Sequence, residues 1–100
     1  MCIRDRTSAL VGVDPPDLAR LTVDDSILGE GYGVETAASH AAIDTLARAE
    51  GVLLDPVYTA KAFAMLLADD GSADDADVVF VHTGGQTGLF AYADAFTSTS

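Results

Sequence analysis

Three stretches of the chain show an ordered succession of apolar and polar positions. In the first, Ala38, Ala42, Ile43, Leu46 and Ala49 recur at helical spacing, so a helix is predicted from about Ala37 to Ala49. Thr36 can cap its start and Gly51 can end it. His40, Asp44 and Arg48 fall on the opposite face, which makes His40 a solvated surface histidine and Asp44 with Arg48 a surface pair. In the second stretch a short apolar strand, Val52 to Leu54, runs into Asp55-Pro56, a strong helix start with Asp as N-cap and Pro at the first helical position. Tyr58 and Thr59 then occupy the first turn, where unpaired N–H groups favour an anion nearby. The remainder, Ala60 to Ala68, is apolar nearly all round and predicts burial between layers. Lys61, the one lysine, is expected to snorkel or to pair with a carboxylate.

The third stretch is Val78 to Tyr92, VVFVHTGGQTGLFAY. Val78 to His82 lacks polar alternation, which predicts a central parallel strand covered on both faces. Gly84 and Gly85 permit a tight turn or close approach of a ligand, and Leu89, Tyr92, Ala93 and Phe96 then predict a helix. Two successive βα units, 52–68 and 78–96, would lie side by side as parallel strands with a right-handed crossover. Their ligand-facing ends then share one cleft, with Tyr58-Thr59 on one side and His82-Thr83-Gly84-Gly85 on the other. The bland alternative is that Gly-Gly is only a connecting loop. The predicted fold class is therefore α/β: a partial, open, mostly parallel sheet with flanking helices.

The rest of the chain is less informative. Met1 to Arg6, MCIRDR, reads as a leader foreign to the domain, with a frayed terminus as the alternative. Leu10, Val11 and Val13 allow a strand that Pro15-Pro16 would stop, and Leu18 to Leu21 allow one helical turn. Asp24 to Gly33 holds three glycines, two of them flanking Tyr32, so that ring either packs or is displayed at a ligand. Residues 97–100 form a tail, leaving 7–96, which reads as part of one cut domain.

Composition narrows the function. Of 100 residues, 16 are Asp or Glu and five Lys or Arg, a net charge of −11 that argues against nucleic acid or an anionic membrane as partner. Asp69, Asp70, Asp74, Asp75 and Asp77 concentrate that charge in one solvated loop. A single cysteine, Cys2, leaves no internal disulfide and no cysteine metal cluster, so no metal site is expected and a reducing, cytoplasmic setting fits best.

EGYG at 30–33, EGVLLDPVYTAKA at 50–62 and VVFVHTGGQTGLFAY at 78–92 resemble the C-terminal part of the D-cysteine desulfhydrase and 1-aminocyclopropane-1-carboxylate deaminase family, pyridoxal-phosphate enzymes of the tryptophan synthase β-like fold. The resemblance covers about Val23 to Tyr92 in three motifs, the final third of such an enzyme. It implies that the Schiff-base lysine and a Ser-Asn-His-type phosphate loop lie upstream, and that Lys61 is not the cofactor lysine. It matches Tyr32 and Tyr58 to two catalytic tyrosines near the substrate, one phenol lowering the pKa of the other. It also places Thr83 beside the ring nitrogen, with Thr59, Gly84 and Gly85 as further cofactor-binding positions, the glycines giving the ring room. Ala60 and Met65 stand where the family usually has glycine, which narrows the space beside that helix.

The implied parent is a homodimeric lyase acting on a small amino-acid substrate, with the missing N-terminal part of the same enzyme as this chain's partner. Threonine at both 59 and 83, where the cyclopropane deaminases differ, implies the weaker electron sink and favours elimination of sulfide or sulfite. The alternatives are a 1-aminocyclopropane-1-carboxylate deaminase or a cysteate sulfo-lyase. The competing class is a stand-alone α/β module binding an anionic metabolite at Pro56 and Gly84-Gly85.

Overall fold

The computed structural model describes residues 2–69 and 77–97. Four helices lie in this order: α1 (Ile3–Val11), α2 (Ala37–Glu50), α3 (Thr59–Ala68) and the short α4 (Ala93–Phe96). Turns of 3-10 helix cover Leu18–Arg20 and Gln86–Tyr92.

α2 is closed by local chemistry at both ends. The Thr36 hydroxyl accepts from the Ser39 N–H, and the Ser39 hydroxyl accepts from the Thr36 N–H, both at 3.0 Å, a reciprocal capping box. Gly51, at φ 66°, takes the left-handed turn that ends the helix. α2 packs on α3, and their contact holds the core: Ala42 and Ile43 from one helix, Ala60 and Ala64 from the other, with Leu54 between them. The buried face of α2 runs through Ser39, Ala42 and Ile43, while Ala38 and Ala49 are exposed. The middle of the predicted stripe, Ala42, Ile43 and Leu46, is the part that meets the core, and its two ends are bare.

The expected parallel sheet is not formed: the described residues contain no strand. Val52–Leu54 and Val78–Val81 have no backbone ladder with a neighbour, and a buried strand needs one on each edge. The second run is not covered on both faces either. Phe80 and His82 turn inward, Phe80 packing edge-on against Phe63 of α3 at 5.2 Å between ring centres. Val79 and Val81 point out, Val79 being 84% exposed. One covered face, alternating with a bare one, replaces the double covering predicted from the unbroken apolar run.

Two smaller expectations are corrected with it. Leu10 and Val11 end α1 and form no strand, and the helix expected after the glycine pair is a 3-10 segment that becomes α-helical only at Ala93. α1 packs on no other described helix. The radius of gyration, 16.5 Å, exceeds the ~13 Å of a compact domain of this length. Of the aspartate loop, residues 70–76 lie outside the described residues, and Asp69 and Asp77 are exposed.

Candidate active site

The site grows from the turn that opens α3. Asp55 is fully buried, and its carboxylate accepts from the N–H groups of Val57 (2.9 Å), Tyr58 (2.7 Å) and Thr59 (2.9 Å). The Thr59 hydroxyl donates to Asp55 Oδ1 at 2.6 Å and accepts from the Asp55 N–H at 2.9 Å. Burial pushes the Asp55 carboxyl upward, but these bonds from Thr59, Tyr58 and Val57 outweigh it and leave the group below the usual carboxylate range. Asp55 therefore caps the turn as expected, although the regular helix begins only at Thr59.

This arrangement removes the anion-binding reading. The amides expected to face an external anion already bind the chain's own carboxylate. Gly85 lies against the same group: a Cβ built there would stand 2.8 Å from Asp55 Oδ1, and its φ of 87° is a glycine conformation. An anion beside Gly85 would meet negative charge.

Tyr58 leaves the capped turn toward solvent, and its hydroxyl meets that of Tyr32 in a short hydrogen bond. Their rings cross edge-on with centres 5.9 Å apart. The bond to Tyr32 raises the Tyr58 phenol above its ordinary value, and desolvation and the charges of Tyr32 and Asp55 act in the same direction. The sequence had led to the expectation that one phenol lowers the other. The direction at Tyr58 is upward, which keeps its proton in place.

Tyr58, Thr59, Lys61, Phe80 and Thr83 line one cavity of about 360 Å³. Of the four positions expected to face Tyr58-Thr59, Thr83 lines this cavity, whereas His82, Gly84 and Gly85 do not. Thr83 is exposed on its wall, whereas Thr59 is 2% exposed and has committed its proton to Asp55. Gly84 has open space where a side chain would stand. Gly85 is taken up by its approach to Asp55.

Three contacts were missed from sequence. His82 accepts from the Gly84 N–H through Nδ1 at 3.1 Å, so its Nε2 carries the proton and donates to the Leu53 carbonyl at 2.8 Å. That ties the glycine loop to the segment before Asp55. Lys61, 4% exposed, does not snorkel and pairs with no carboxylate among the described residues: its Nζ donates to the carbonyls of Leu28 (2.7 Å) and Gly31 (3.2 Å). The Tyr92 hydroxyl donates to the Gly33 carbonyl at 3.0 Å. His40 is also less solvated than expected, since its Nε2 lies 3.0 Å from Glu35 and its ring faces Phe96 at 5.0 Å. The Asp44–Arg48 pair is present as read, at 2.7 Å.

A phenol pair, a largely apolar cavity with the Thr83 hydroxyl on its wall and a glycine loop held against a buried carboxylate suit proton handling beside an organic cofactor, and residues 4–84 match the pyridoxal-phosphate-dependent enzyme family. The chain belongs to that family. Among its curated relatives, the D-cysteine desulfhydrase of Yersinia pestis (strain Pestoides F) is 44% identical over 95 residues, covering 90% of this chain and 28% of that protein. The D-cysteine desulfhydrase of Serratia proteamaculans (strain 568) is 47% identical over 81 residues, 76% of this chain and 24% of that protein. That of Salmonella typhi is 49% identical over 73 residues, 68% of this chain and 22% of that protein. The chain thus spans about a quarter of the length of these relatives. Among the described residues, no helix is long and apolar enough to cross a membrane.

Proposed function

We propose that this chain is the phenol-bearing, C-terminal part of a D-cysteine desulfhydrase-like lyase, active only together with the upstream part of the enzyme. The observation that carries this reading is the hydroxyl-to-hydroxyl contact of Tyr32 and Tyr58 beside the Thr83 cavity, in a chain similar to D-cysteine desulfhydrases along most of its length. In the proposed reaction the substrate loses its Cα proton and thiolate leaves Cβ. Addition of water then gives pyruvate and ammonia, with the thiolate protonated to hydrogen sulfide. Pyridoxal phosphate, when bound, supplies the electron sink.

The cavity and its hydroxyls fit the ring end of that cofactor. Its volume lies within the range of small-molecule sites, its walls are largely apolar, and Thr83 offers an accessible hydroxyl for the ring nitrogen. Thr59 has only a lone pair to offer, because its proton is on Asp55. Tyr58, which keeps its proton to higher pH than an ordinary phenol, is the donor of the pair, and Tyr32 orients it. The group that Thr83 offers the ring nitrogen is a neutral hydroxyl, which supports positive charge there weakly. This favours expulsion of a leaving group that carries charge well over opening of a cyclopropane. The small amino-acid substrate, the homodimeric parent and a cytoplasmic setting belong to the same proposal.

Two measurements test it in the enzyme that carries this chain. Tyr58→Phe should lower kcat about 10²- to 10⁴-fold with cofactor affinity unchanged, and unchanged turnover would remove Tyr58 from the chemistry. Pyruvate formation from D-cysteine should exceed 2-oxobutyrate formation from 1-aminocyclopropane-1-carboxylate in kcat/KM. If the cyclopropane is preferred, the two threonines do not set the sink. The chain alone should give no saturable, stoichiometric visible band with pyridoxal phosphate, since its one lysine is buried on two carbonyls.

A further inference from the structure

Tyr32 sits on a backbone that has little of its own to fix it. Glycines flank it on both sides, its ring is 83% exposed, and the bonds within the loop, from Leu28 N–H to Asp25 and from Val34 N–H to Gly31, are local turns. Yet its hydroxyl meets that of Tyr58, 26 residues away. An exposed aromatic on a glycine-flanked loop keeps such a contact only if the backbone beneath it is anchored.

The anchors are on either side. Lys61 Nζ donates to the carbonyls of Leu28 and Gly31, the latter one residue before Tyr32. The Tyr92 hydroxyl donates to the carbonyl of Gly33, one residue after it. Lys61 is one turn along α3 from Tyr58, so the ammonium ties the loop to the same helix that carries the second phenol. A buried ammonium bonded to carbonyls is a costly way to fill space, and an apolar side chain would pack there without that cost. Its advantage is directional: charge-assisted bonds fix where two specific carbonyls lie.

We propose that Lys61 and Tyr92 are positioning residues that clamp the Gly31 and Gly33 carbonyls and so set the Tyr32 phenol against that of Tyr58. This deepens the functional reading above and rests on it for its catalytic meaning. The geometric claim is tested without substrate or cofactor, so it stands or falls independently of the turnover of Tyr58→Phe.

The experiment is a spectroscopic titration of the phenols in the full 100-residue chain, with amide exchange of α2 as a check on the fold. The wild type should show one phenol titrating later than the ordinary ~10, and Tyr58→Phe should remove that late phase. Lys61→Met, which keeps the length of an unbranched stem, and Tyr92→Phe, which removes a single oxygen, should each merge the late phase with the ordinary one while α2 stays protected. A late phase kept at its wild-type midpoint in both variants overturns the proposal. So does loss of α2 protection together with the late phase in both, which would make the contacts general supports of the fold. A wild type lacking the late phase overturns it as well, because the phenol pair is then not held.

Discussion

α2 and the run from Val78 to Val81 are both strongly written in the sequence, and only one of them becomes the element it predicts. α2 needs a periodic stripe, a cap at Thr36, a stop at Gly51 and a partner helix, all within 36 to 68. The apolar run needs strands on both edges and layers on both faces, and the described residues offer it one face of α3 through Phe63. Signals that are satisfied locally survive in a short chain, whereas signals whose meaning lies in distant partners leave bare valines.

The contrast can be broken at the joint between the two regions. Asp55→Ala should have the largest effect, since it strips the acceptor from three amides and the Thr59 hydroxyl in a buried site; a loss of about 3 kcal/mol in urea unfolding is expected. The pH dependence has a definite sign. Because the Asp55 carboxyl is lowered in the folded state, its stabilisation is complete above its ordinary value of about 3.9 and is lost as pH falls through the lowered one. Asp55→Asn should flatten that acid limb.

Gly85→Ala comes next, at about 1–3 kcal/mol, because it combines a left-handed backbone with a contact of 2.8 Å to Asp55. Amide exchange should loosen at 82–88 and not in α2. Thr36→Ala should cost about 1 kcal/mol and fray the first turn of α2. Val79→Asp sharpens the comparison with the smallest effect: on a bare face it should change stability by less than about 0.5 kcal/mol, whereas a loss of several would mean that the run is covered.

The limits of the sequence reading follow the same division. The ends of α2 and the surface pair Asp44–Arg48 were legible, because caps and i+4 spacing determine them. The sheet was not, since an unbroken apolar run does not say whether one face or two will be covered. Nor was the function of Lys61 or Tyr92. Their partners are backbone carbonyls 30 and 59 positions away, and a carbonyl has no letter in a sequence. Asp55 was recognised as a cap, but its contact with Gly85 depends on a loop conformation that no residue pattern specifies.

The Asp55 turn also bears on how the molecule meets dissolved ions. Amides at the start of a helix ordinarily compete for phosphate and sulfate, and proteins that leave them open respond to the composition of the buffer. Here the position is filled from within, by a carboxylate whose tether gives it a high local concentration that an ion from solution would have to match. This turn should therefore be indifferent to phosphate or sulfate, and any ion dependence of the intact enzyme must originate elsewhere.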